Sequence, residues 1–140
     1  MRIDEALLDC LSAEAKASPR LRVNYDLRNS AEDQSQRMLN ALEPGTVMPI
    51  HRHRFSSETQ VLLRGSLRED FYDDAGRVTE SFLLQAGGPQ FGLQIPKGQW
   101  HSLECLSPGT VILESKDGPY VPLAPVDLWP GTEEAVASEG

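Results

Sequence analysis

An all-β chain folded as a double-sheet jelly-roll barrel, preceded by a short N-terminal helix, is the fold class the sequence predicts. Three observations carry that expectation. Strand-length segments follow one another closely from residue 37 to residue 116, explicit turn chemistry separates them, and one segment of helical period stands at the N-terminus. The 140 residues fit one domain, long enough to bury a core. A hydrophobic fraction of 39% with 24% charged residues indicates neither a disordered nor a membrane class.

Residues 3–17 place Ile3, Leu7, Leu8 and Leu11 at helical spacing with alanines between them, which predicts a short amphipathic helix ended by Pro19. The run Leu21-Arg22-Val23-Asn24-Tyr25-Asp26-Leu27-Arg28 alternates without a slip, as a half-buried strand does, with Tyr25 on the apolar face. Further strands are expected at 37–43, 46–53, 58–64, 66–73, 78–85, 91–96, 100–106 and 110–116. Pro44-Gly45, Gly65, Gly76, Gly87-Gly88-Pro89, Pro96-Lys97-Gly98 and Pro108-Gly109 supply the fixed or positive φ where the chain reverses. Eight or nine strands suit a jelly roll, which limits exposed edges and leaves a cavity between its sheets. The proline-rich run DGPYVPLAPVDLWP suits neither a strand nor a helix interior. It is expected to wrap over the barrel as an extended arm anchored by Tyr120, Leu123 and Trp129. The organisation expected is 1–20 as N-terminal helix, 21–129 as barrel with its arm, and 130–140 as a disordered tail.

Thirteen basic against twenty-one acidic residues give a net charge of −8, a field that repels a phosphate backbone, so nucleic acid is not an expected partner. Part of the excess lies in the tail, at Glu133, Glu134 and Glu139. Asp4, Glu5, Asp9 and Glu14 interrupt the N-terminus where a secretory signal would need an apolar run, and no segment has transmembrane length. A cytoplasmic protein without a membrane partner is expected. Cys10 and Cys105, far apart in sequence, are then expected to stay reduced.

The chemistry concentrates in two patterns that use every histidine of the chain. The first runs from Gly45 through His51, His53 and Glu58 to Gly65, and the second is Pro96, Gly98 and His101. On a strand, residues i and i+2 share a face, so His51 and His53 present two imidazoles to one side. His51, His53, Glu58 and His101 are the expected ligands of a divalent transition metal: Fe(II), Mn(II), Ni(II) or Zn(II). Three imidazoles and one carboxylate leave coordination positions open for a small-molecule ligand.

These patterns, GTVMPIHRHRFSSETQVLLRG and IPKGQWH, resemble the two signature motifs of the cupin superfamily. The resemblance implies the cupin double-stranded β-helix. Two positions depart from it: Gln90 stands where the second motif has an earlier glycine, and Cys105 where it has a later asparagine. Together with SPRLRVNYDLR, QRMLNALEPGT and the closing SKDGPY, the chain looks like the WbuC family of cupin-fold metalloproteins over residues 3–129. Relatives in that family often carry a lysine between the second histidine and the glutamate, where this chain has Ser56 and Ser57. The resemblance implies a role in bacterial polysaccharide metabolism. It also implies a homodimer, because single-domain cupins commonly pair through sheet faces or exchanged terminal strands.

Alternation places Gln60 on the face of Glu58, and Cys105 on the face of His101, both toward the cavity. Gln60 is a candidate substrate contact, with a hydrogen bond to neighbouring backbone as the alternative. Cys105 is another, although free cysteine more often packs as a small hydrophobe. Arg22, Asn24 and Arg37 suit a carboxylate or phosphate, or else form a solvated face paired with Asp26 or Glu32. Glu114 sits among Val111, Ile112 and Leu113, an unusual setting for a carboxylate unless it is paired or faces the cavity, and is a candidate general base beside Glu58. Trp100 faces away from His101, toward core or interface.

Two readings of function follow. One is a metal-dependent enzyme, an isomerase or oxygenase-type cupin, acting on a small anionic or sugar-derived molecule. The other is a non-catalytic cupin in which the metal only orients a small molecule or carbohydrate. The fold alone does not separate them.

Overall fold

The computed structural model describes residues 1–132, so the tail glutamates and nearly all of the 130–140 segment expected to be disordered lie outside the described residues. The N-terminal helix α1 spans Glu5–Ala17. Asp4 caps it, accepting from the Leu7 N–H at 3.0 Å, and Ser18 leaves it in an extended conformation, as the residue before a proline must. Its buried face is Leu8, Leu11, Ser12 and Ala15, whereas Ile3 remains about half exposed ahead of the first turn.

Eight strands follow: β1 Arg22–Asp26, β2 Ser35–Leu42, β3 Glu58–Arg64, β4 Ser66–Tyr72, β5 Val78–Gln85, β6 Gly92–Ile95, β7 Trp100–Cys105 and β8 Thr110–Asp117. They form a five-stranded sheet in the order β1-β2-β8-β3-β6 and a three-stranded sheet in the order β5-β4-β7, with every pair antiparallel. The helix covers the outer face of the larger sheet, where Leu8, Leu11 and Ala15 pack with Leu39, Ala41 and Val111. Between the sheets, Leu42, Leu62, Leu67, Leu84, Cys105 and Ile112 fill one end of the barrel. Burying each such leucine contributes about 1.5–3 kcal/mol.

The inner face of the larger sheet changes character along its strands. Ile112 and Leu62 pair at the packed end, Glu114 lies opposite Gln60 one step on, and Lys116 lies opposite Glu58 beyond that. Polar residues with period two therefore keep the far end of the barrel from closing as core. The turn between β3 and β4 needs its glycine: Gly65 has φ +75°, and a Cβ there would stand 2.8 Å from the Thr110 Cα.

One expected strand is absent. Residues 46–53 form no ladder, because Pro49 lacks a backbone donor and the segment pairs only at His51. His51 exchanges both main-chain hydrogen bonds with His101, at 3.1 and 2.9 Å. The arm beyond β8 runs over the barrel; of its expected anchors Trp129 holds it, Leu123 is half-buried in the cavity wall, and Tyr120 departs from expectation. Tyr120 is 51% exposed, with the Arg28 guanidinium 5.5 Å from its ring. The hold comes from Gln36, which donates to the carbonyls of Gly118 and Pro119, from Asp127, and from Trp129, which stacks edge-on to Trp100 at 5.2 Å and donates its N–H to the Ile50 carbonyl.

Candidate metal centre

The open end of the barrel is a cavity of about 500 Å³ between the two sheets, partly roofed by the arm. His51, His53 and His101 converge in its wall, each offering one ring nitrogen, and these three atoms lie within 4.8 Å of one another. Local backbone explains the convergence. The His51–His101 bridge carries one imidazole on the irregular segment to β7, and the Gly98 N–H, donated at 2.8 Å to the His53 carbonyl, ties the Pro96-to-Gly98 turn to the other. Gly98 has φ +78°, the conformation that turn requires.

The ring tautomers follow from hydrogen bonding. Nδ1 of His51 lies 3.0 Å from the Pro49 carbonyl, and Nδ1 of His101 lies 2.8 Å from the Gln99 carbonyl. A carbonyl only accepts, so each Nδ1 carries the proton and each Nε2 keeps its lone pair, the arrangement found around metal-bound histidines. Burial, reinforced by the flanking imidazoles His101 and His53, holds His51 well below the ordinary histidine value, and burial lowers His101 as well. Both are therefore neutral, the form that ligates.

Glu58, only 3% exposed, points Oε1 at this group, 3.4 Å from His53 Nε2 and 4.0 Å from His101 Nε2. Burial alone would raise its pKa, but the Lys116 ammonium at 3.8 Å and His53 hold it well below the usual carboxylate range. Ligands about 2.1 Å from a common ion stand about 3–4 Å apart, so the donor set fits a divalent transition ion after a small inward movement.

The remaining expectations divide by where the strands place them. Gln60 and Glu114 line the cavity, both buried. Gln60 Nε2 donates to Glu58 Oε2 at 2.5 Å, and Glu114 Oε1 accepts from Asn40 Nδ2 at 2.6 Å. Arg22 is buried in the cavity wall, with Nη1 donating to the Val47 carbonyl, and the exposed Asn24 lines the same cavity. Arg37 does not join them. On β2 the even positions Gln36, Met38 and Asn40 face the cavity, so Arg37 falls on the other face, bonded to Asp33 and the Ser35 and Leu27 carbonyls. The expected two-arginine fork is reduced to Arg22. Cys105 also departs from expectation: it packs in the closed end of the barrel, its thiol against the Ser107 carbonyl, and burial pushes its pKa up. Cys10 is exposed.

Several cavity residues were not foreseen. Lys116 stands between Glu58 and Glu114, and its spacing of two from Glu114 was a usable signal. Glu69 on β4 is fully buried with neither carboxyl oxygen bonded among the described residues, and it alternates with Leu67 and Phe71, which marked it as inward-facing. Asp127 binds Arg52 and Arg54, at 3.3 and 2.6 Å. No sequence signal linked these groups, because the arm joins them only in three dimensions.

A family model described as a domain of unknown function, DUF6016, matches residues 3–84, more than half of the chain. The chain belongs to the DUF6016 family. That match takes in α1, the first four strands and three of the four expected metal ligands, leaving His101 beyond its end. No curated protein sequence matches this DUF6016 member. Among solved structures it is similar to KdgF from Halomonas sp., at TM-score 0.59 and 13% identity over 74% of this chain and 84% of that one. The capsular polysaccharide assembling protein CapF from Staphylococcus aureus is similar at TM-score 0.65 and 18% identity, over 80% of this chain and 32% of CapF. An oxalate oxidase in complex with glycolate aligns at TM-score 0.58 and 18% identity, over 73% of this chain and 53% of that one. The DUF6016 chain thus spans about half of the oxalate oxidase and a third of CapF. At such identities the likenesses carry the fold, which is the cupin barrel.

Proposed function

We propose that this DUF6016 protein is a metal-dependent enzyme acting on a small anionic or sugar-derived molecule in its barrel cavity, within bacterial polysaccharide metabolism. The observation that carries the reading is the convergence of His51, His53 and His101 on the cavity, with the buried Oε1 of Glu58 beside them. These four residues would hold a divalent transition ion, which when bound supplies Lewis-acid polarisation of a substrate oxygen or an oxygen-activating centre.

The chain's own residues supply the rest. Glu114 presents a buried carboxyl to the same cavity, held by Asn40, with the Lys116 ammonium 3.7 Å away, and is the group placed to move a proton at the bound molecule. Arg22 brings a positive charge to the cavity wall, where a carboxylate or phosphate would be received. The arm lines one side of the cavity from Gly118 to Ala124 and at Asp127. The polysaccharide setting is supported by the WbuC-like motifs and by the fold shared with CapF.

The test is turnover. Metal-loaded protein is incubated with nucleotide sugars and sugar acids in deuterated buffer, and products and exchange are followed by NMR. Turnover or deuterium uptake that disappears in Glu114→Gln while metal stays bound is the expected result. Binding of such molecules with no chemistry in any of them would instead make the protein a metal-dependent binding module.

A further inference from the structure

The base of the cavity presents hydrogen-bond acceptors that none of the described residues satisfies, and the amide hydrogen bonds set their orientation. Asn40 Nδ2 faces Glu114 Oε1 at 2.6 Å, and Gln60 Nε2 faces Glu58 Oε2 at 2.5 Å. Each amide thus donates its N–H to a carboxyl oxygen and turns its own oxygen away from that contact. Both amide oxygens are thereby committed to point elsewhere. Asn40 Oδ1 and Gln60 Oε1 are buried and have no partner among the described residues, and the same is true of both carboxyl oxygens of Glu69, reaching the cavity from the opposite sheet. A buried polar atom without a partner is destabilising, so whatever seats here is selected for donors.

Building on the reading of this cavity as the substrate site, we infer that its base recognises a polyhydroxylated ligand, a sugar or polyol, through ligand hydroxyls donated to Asn40 and Gln60 and shared with Glu69. A carboxylate or phosphate does not fit at this depth. It would set lone pairs against two amide oxygens and lie near the carboxylates of Glu58 and Glu114. Any anionic group of the ligand belongs higher in the cavity, toward Arg22. Burial, with the charges of Glu58 and Glu114 adding to it, pushes Glu69 well above the ordinary carboxyl value, so its carboxylic acid both donates and accepts, as a hydroxyl partner requires. Glutamine therefore mimics Glu69 here and leucine does not.

Calorimetric titration of metal-loaded protein with neutral aldoses, ketoses and hexitols, alongside glycolate and inorganic phosphate, tests this. At least one neutral polyol is expected to bind. Its affinity should fall at least tenfold in Gln60→Met and in Glu69→Leu, and should be largely retained in Glu69→Gln, with thermal melting confirming that each variant is folded. If Glu69→Leu does not fold, Gln60→Met against Glu69→Gln carries the comparison. Failure of every neutral polyol to bind, binding of glycolate or phosphate alone, or polyol affinity unchanged in Gln60→Met would each overturn the inference. The metal reading is judged separately by metal content: polyol binding without stoichiometric metal defeats that reading alone, and metal without polyol binding defeats this one alone.

Discussion

His51 and His101 exchange both of their main-chain hydrogen bonds, so two imidazoles from segments fifty residues apart are fixed by one antiparallel bridge. The same backbone groups leave each ring free to be oriented by a neighbouring carbonyl, Pro49 for one and Gln99 for the other. The three-histidine group is thus positioned by backbone geometry.

That geometry makes the arm part of the site. Leu128 bridges the other side of His51, and Asp127 accepts from Arg52 and Arg54 on either side of His53. Asp127→Ala should destabilise the fold by about 1–3 kcal/mol, because two guanidinium groups lose their carboxylate. Urea unfolding checks the magnitude. Faster hydrogen exchange at Arg52 and Trp129, whose amides bond across this junction, should accompany it.

Glu69 gives the stability a pH signature. Its folded pKa is raised well above the ordinary value by burial, while the unfolded chain releases the proton near about pH 4.3. The stability contributed by the protonated form is complete below that value and is lost as pH rises toward the folded pKa. Relative to wild type, Glu69→Gln should therefore gain stability progressively above about pH 5, by at most about 1.4 kcal/mol per pH unit. Denaturation midpoints of both proteins from pH 5 to pH 8 measure it; parallel curves would show that Glu69 is ionised in the fold.

Much of this was legible in the sequence, and the exceptions have physical causes. Alternation located the eight strands to within one or two residues, because Gly or Pro marks each reversal after β2 and Asn29, Ser30 and Asp33 mark the one before it. Spacing alone brought His51, His53, Glu58 and His101 together. It erred at 46–53, where polar residues two apart looked like a strand although Pro49 removes the donor a ladder needs. Arg37 was grouped with Arg22 by its charge and motif, but the register Arg22↔Leu42 puts cavity-facing residues of β2 on even numbers, and register is set by pairing that no local pattern shows. Cys105 faced inward as alternation required. Depth along the barrel, not face, decided that it packs as core.

We propose that copies of the chain assemble through the smaller sheet. Val78 and Leu83 of the edge strand β5 are 54% and 49% exposed, and Phe91 nearby is 56% exposed. With the N-terminal helix and arm at the periphery, a homodimer is the expected state. Light scattering across a hundredfold range of protein concentration checks it, and a constant monomer mass would exclude it.

The most direct test of the central claim is metal content, measured by inductively coupled plasma mass spectrometry on protein purified without an affinity tag and supplied with iron, manganese, nickel and zinc. One divalent transition ion per chain is expected in the wild type. His101→Ala should lose it while keeping the barrel's circular dichroism spectrum. A wild type that retains no ion, or a His101→Ala variant that retains it at full occupancy, would contradict the account.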